Sequence, residues 1–128
     1  MKNNKILIVD DNQAILNSLT LLLKHEYASL KTISNPNLLY SELDKNEADV
    51  ILLDMNFKAG INTGNEGLFW LREIKKKAPL VEVVMITAYG DVELAVRSVK
   101  EGAADFVLKP WDNEKLKATL EAACRLRN

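Results

Sequence analysis

The feature that most narrows the folds open to this chain is an alternation. Short apolar runs rich in β-branched residues are each followed by a stretch with helical periodicity. A parallel sheet needs this order, because its strands are covered on both faces and each crossover helix must lay one apolar stripe against them. Five strand candidates fit, at residues 6–9, 28–33, 50–53, 81–86 and 106–108. Three are continuously apolar, whereas 28–33 alternates and belongs toward an edge of the sheet. Between them, Ala14, Ile15, Leu19, Leu22 and Leu23 recur at helical spacing, as do Leu68, Leu71 and Ile74, then Leu94, Ala95 and Val99. After Pro110, Asp112 is suited to cap a closing helix that places Leu116, Leu120 and Ala123 on one side. The expectation is an α/β fold with a five-stranded, doubly wound parallel sheet. Residues 56–66, polar and carrying Gly60 and Gly64, read as a loop directly after the third strand.

A chain of 128 residues with 48% hydrophobic content suits one domain spanning residues 1–128. Its 17 basic and 18 acidic residues give a net charge of -1, which offers no general attraction to nucleic acid or to an anionic membrane. Only four strongly apolar residues precede Asp10 and Asp11, too few for a signal peptide or a membrane span, so a cytoplasmic location is expected. The lone Cys124 falls on a helical pattern and reads as packing.

Ligands of open parallel sheets bind at the carboxyl ends of the strands. Asp10 and Asp11 end the first strand here, Asp54 the third, Thr87 the fourth and Lys109 the fifth. Clustered carboxylates repel one another and call for a cation, and oxygen donors favour magnesium. Asp11 and Asp54 are the candidate direct ligands, with Asp10 orienting a bound water and the Asn56 backbone carbonyl a further donor. A carboxylate attacks an activated phosphoryl group once its oxygens are neutralised, so Asp54 is the candidate nucleophile. Lys109 and Thr87 would each hold one phosphoryl oxygen after transfer. Pro110 would aim Lys109 through its turn, and either isomer of the Lys109-Pro110 bond is open.

The residues Ile6-Leu7-Ile8-Val9-Asp10-Asp11, Asp54, Thr87-Ala88 and Lys109-Pro110 together resemble the receiver domain of bacterial two-component response regulators. The resemblance runs over nearly the whole chain and implies strand order 2-1-3-4-5 with five helices. It further implies phosphorylation of Asp54 by a sensor histidine kinase with Mg2+, and self-catalysed transfer and dephosphorylation rather than a stand-alone enzyme. Thr87 and Phe106 are the implied switch residues, acting on the surface of the fourth helix, fifth strand and fifth helix to control an output domain, with transcription the expected output. Phe106 lacks the hydroxyl of a tyrosine, so only ring packing is left to report the state. The start Asp54-Met55-Asn56 and the long loop to Gly67 are similar to receivers of nitrogen-regulator-type activators. Such receivers precede ATPase and DNA-binding modules and often form homodimers on phosphorylation, so the chain reads as a receiver excised from a longer regulator.

Each residue taken singly has a plainer reading. An Asp-Asp pair after a strand caps a helix, a lone lysine lies on the surface, and Phe106 is about as well explained by core packing. Trp70 and Trp111 read as packing or partner-surface residues, and Lys75-Lys76-Lys77 as a solvated helix end. Three rival functions use the same residues less well. A magnesium phosphohydrolase would want an acid two residues after Asp54, where Asn56 stands, and a nucleotide-binding module would want a glycine-rich loop after a strand. An interaction domain that is never phosphorylated would leave the acidic set and Lys109 unexplained.

Overall fold

A computed structural model describes residues 2–57 and 65–127. Its strands are β1 (Lys2–Val9), β2 (Tyr27–Ile33), β3 (Val50–Asp54), β4 (Glu82–Ala88) and β5 (Asp105–Lys109). The helices among the described residues are α1 (Gln13–Leu23), α2 (Leu39–Lys45), α3 (Asn65–Lys77), α4 (Val92–Lys100) and α5 (Asn113–Arg127). The strands form one parallel sheet in the order β2-β1-β3-β4-β5, with the alternating strand β2 at an edge.

The period of two along each strand sorts the core into two layers. Leu7, Val9, Ile51, Leu53, Val83 and Met85 face Leu39, Leu43, Leu68, Leu71, Ile74 and Ala95 of α2, α3 and α4. Ile6, Ile8, Val50, Leu52, Val84 and Ile86 face Leu16, Leu19, Leu23, Leu116, Leu120, Ala123 and Cys124 of α1 and α5. Burial on both faces is why residues 6–9, 50–53 and 83–86 are wholly apolar up to the polar residues at the carboxyl ends of their strands.

Several element limits differ from those expected from sequence. β1 starts at Lys2 because backbone pairing with Tyr27 tolerates polar side chains, and β2 gains Tyr27, whose ring is buried beneath the Lys2 ammonium at 5.5 Å. β4 runs one residue past Thr87 to Ala88, while β5 ends on Lys109 as expected. Helix α2 follows a one-turn 3-10 segment in which Asn35 accepts from the Asn37 N–H beside Pro36. Helix α3 begins at Asn65, so the expected loop is shorter at its end, and residues 58–64 of it lie outside the described residues. Asp112 does cap α5, accepting from the N–H groups of Glu114 and Lys115 at 2.9 and 3.1 Å.

The lysine run is less solvated than expected. Lys75 donates to the carbonyls of Pro79 and Val81, at 3.1 and 2.9 Å, and Lys77 reaches Asp44 at 3.0 Å, tying α3 to α2. Trp70 is buried and meets Tyr40 and Phe69 edge to face. Phe57, in the stretch that follows Asp54, is also buried in the core.

Candidate functional site

Parallel pairing brings the carboxyl ends of the strands to one edge. Val9 lies opposite Leu53, Asp54 opposite Ile86, and Ala88 opposite Lys109. Asp10 and Asp54 are therefore neighbours, and both are buried. Lys109 Nζ donates to Asp10 Oδ2 at 3.1 Å and to Asp54 Oδ1 at 2.9 Å. The second oxygen of Asp10 accepts from the Asn12 N–H at 2.9 Å. Asp54 also accepts from the Asn56 backbone N–H. An open pocket of about 270 Å³ gathers these groups with Asp11, Asn12 and Asp91 at its rim.

The helix-capping role that an Asp-Asp pair would ordinarily take falls to another residue. Asn12 caps α1, accepting from Ala14 and Ile15 at 2.9 and 3.3 Å, which leaves both aspartates for the pocket. Carboxylate oxygens of Asp10, Asp11 and Asp54 lie within 4.8 Å of one another. Hard oxygen donors with surplus negative charge fit a divalent cation such as magnesium. Thr87 is buried, one residue beyond the partner of Asp54, and its Oγ1 has no hydrogen-bond partner among the described residues. A buried hydroxyl left unpaired in this way is costly and suits a ligand that accepts from it.

Two buried carboxylates face a single ammonium, and the imbalance falls on Asp54. Its pKa is pushed up to about 6, first by burial and then by Asp10, against the opposing pull of Lys109 and the Asn56 N–H. Burial alone would lower the Lys109 pKa, but Asp54 and Asp10 together raise it, so the ammonium stays charged. Because the carboxyl pKa is 3.8 in the unfolded chain and about 6 in the fold, an ionised Asp54 costs metal-free stability. The cost grows as pH rises from about 4 to 6 and is constant above. Asp54→Asn should thus be more stable than the parent by on the order of 2 kcal/mol at pH 8. The gain should vanish near pH 4 in urea unfolding with chelator, and a gain independent of pH would contradict this charge balance.

The remaining candidates are spread around the site. Phe106 is half-buried against the core and lines a separate groove of about 380 Å³ with Tyr89, Leu108 and Lys115. Trp111 packs partly against the α1 and α5 layer, with its Nε1 donating to Asn113 at 3.1 Å. The Lys109-Pro110 bond is cis. Sequence reasoning overlooked Asn12, Asp91 and the Asn56 side chain, whose Nδ2 donates to Asp91 Oδ2 at 2.9 Å. The signal for Asp91 was an acidic residue just ahead of the Leu94 and Ala95 stripe. Among the described residues no helix is long and apolar enough to cross a membrane.

Comparison with known proteins places the chain by family and fold. Residues 6–121 match the model of the response regulator receiver domain. An NtrX-like response regulator of Rickettsia bellii is 34% identical over 121 residues, which are 94% of this chain and 25% of the relative. The chain thus spans about a quarter of that relative's length. The signal receiver domain of a two-component response regulator from Bacteroides fragilis is 49% identical, with a TM-score of 0.87 over 96% of this chain and 98% of that one. NtrX from Brucella abortus, in a structure with ATP, is 28% identical with a TM-score of 0.87, covering 98% of this chain and 28% of its own.

Proposed function

Because the chain belongs to the response regulator receiver domain family, we propose that it is a phosphorylation-operated switch whose acceptor is Asp54. The observation that carries this reading is a buried carboxylate facing an ammonium at 2.9 Å, with an unpaired threonine hydroxyl on the adjoining strand. Asp11, Asp54 and the Asn56 backbone carbonyl would hold Mg2+, and Asp10 would orient a water bound to it. The ion would supply positive charge at the oxygens of the transferring group.

The chain's own groups supply the rest. An Asp54 carboxylate oxygen attacks phosphorus as the bond to the donor breaks, and a phosphohistidine donor on a sensor kinase leaves as imidazole. Lys109 follows the charge from the carboxylate to one phosphoryl oxygen, and the Thr87 hydroxyl donates to another. That second contact would draw the end of β4 toward Asp54 and let the Phe106 ring repack, altering the surface of α4, β5 and α5. The output would be an ATPase and DNA-binding segment like that of nitrogen-regulator-type activators, as the ATP-bound Brucella relative suggests, with a homodimer as one assembled form. The switch would work in the cytoplasm as a phosphoacceptor rather than as an enzyme with its own substrate. A phosphohydrolase reading lacks its acid, since Asn56 is an amide engaged with Asp91.

Intact mass after incubation with acetyl phosphate tests the assignment. One phosphoryl adduct is expected with magnesium, and none with chelator or in Asp54→Asn. An adduct that survives in Asp54→Asn would move the acceptor elsewhere, and none under any condition would favour an interaction domain that is never phosphorylated.

A further inference from the structure

Asn56 touches both the acceptor and the helix that follows β4. Its main-chain N–H donates to the Asp54 carboxylate, and its side-chain Nδ2 donates to Asp91 Oδ2 at 2.9 Å. Asp91 is the residue immediately before α4 and a favoured type for an N-cap, yet its side chain makes no capping hydrogen bond. Its backbone, at φ -111° and ψ 25°, also lies outside the extended region that N-caps adopt. The carboxylate is spent on Asn56 instead.

Helix α4 follows a 3-10 turn over Tyr89–Asp91, and in its first turn only Leu94 packs partly on the core. Only Ala95 and Ser98 are buried within it, while Val92, Val96 and Val99 are exposed. The turn before it is open, since a Cβ on Gly90 would meet nothing within 4 Å. At its other end, Glu101 pairs with Arg72 of α3 at 2.6 Å.

We infer that the Asn56–Asp91 hydrogen bond is a latch joining the acceptor pocket to α4, and that Asp91 exchanges this bond for an N-cap on α4 when Asp54 is phosphorylated. The inference rests on the phosphoacceptor reading. A phosphoryl group carries roughly -1.5 to -2 charge and would stand in the pocket that Asp91 also lines. Repulsion then drives the Asp91 carboxylate from the pocket toward the N–H groups in the first turn of α4, where a helix start favours negative charge. Adopting cap geometry turns ψ of Asp91 toward the extended region, so the start of α4 swings about the end held by Arg72. Asn56 and Asp91 are thus positioning residues, acting on α4 and not on the reacting atoms.

Amide spectra of α4 in three variants of the 128-residue chain test the latch. Asn56→Ala and Asp91→Ser both break it while keeping a residue able to cap, so without phosphorylation both should move the α4 amides in one shared direction. That direction should be the one acetyl phosphate produces in the parent. Asp91→Ala breaks the latch but leaves nothing to cap α4, so it should leave that line, with α4 amide exchange roughly five- to tenfold faster than in Asp91→Ser, as the lack of a cap implies. Unmoved amides in Asn56→Ala and Asp91→Ser, or unrelated directions, would overturn the latch. If the parent takes no phosphoryl group by mass, the phosphoacceptor reading fails, and agreement between those two variants still decides whether the latch exists.

Discussion

Lys109→Met is expected to lower metal-free stability at pH 8 by about 3 kcal/mol and to slow phosphoryl uptake from acetyl phosphate roughly 10²–10³-fold. Methionine keeps most of the hydrocarbon stem and removes the ammonium with its two hydrogen bonds, so loss of stem packing is not the main cause. Without the ammonium, Asp10 and Asp54 are two buried carboxylates with no nearby counter-charge from Lys109. Removing one partner from a buried pair costs more than the pair itself is worth, because the remaining charges are left in a poor dielectric. The pH sign follows from Asp54. Its raised pKa would rise further, so the stability lost at pH 8 should return on acidification toward 5, as protonation removes one of the two charges. Saturating magnesium should also restore it by mass action.

A double-mutant comparison separates charge from shape. Asp54→Asn with Lys109→Met leaves only Asp10 charged, so the second change should cost less in that background than in the parent. Equal cost in both backgrounds, measured by urea unfolding at pH 8 with chelator, would mean that Lys109 does not stabilise the fold by offsetting the charge of Asp54.

The sheet was legible because strands buried on both faces leave no room for polar residues, and the first polar residues after such runs mark the strand ends. Asp10, Asp54, Thr87 and Lys109 were found in this way, by position. Short elements were less legible. The seven residues of α2 carry too few turns for a periodic stripe, and only Asn35-Pro36 signals the preceding turn. The start of α3 was set too late because Asn65 and Glu66 are polar, although its first turn is held by a contact that composition cannot reveal. The Asn56 side chain and Asp91 were missed for a related reason. They lie 35 residues apart, and only the sheet's folding brings a loop amide beside a helix-leading carboxylate.

The contact that fixes α3 carries the other large expected effect. Gly67 donates its N–H to the Met55 carbonyl at 3.0 Å, and a Cβ there would stand 2.5 Å from that oxygen and 2.6 Å from the Met55 Cα. Both obstacles are backbone, next to the last residue of β3, so neither can rotate aside. Gly67→Val should therefore cost more than about 3 kcal/mol, at or beyond the upper end for overpacking a core. Gly90→Ala provides the control, since its Cβ meets nothing within 4 Å, and it should be neutral or slightly stabilising. The lesion should also reach the site. Relief of the clash must shift either α3 or the Met55 main chain, and the latter runs directly from Asp54 to the Asn56 N–H and carbonyl. Weaker magnesium binding in folded Gly67→Val, tested below its thermal midpoint, would show that the main chain yields. Unchanged magnesium binding with lowered stability would show that α3 moves instead, and unchanged stability would show that the close approach of Gly67 to Met55 does not hold α3 against the sheet.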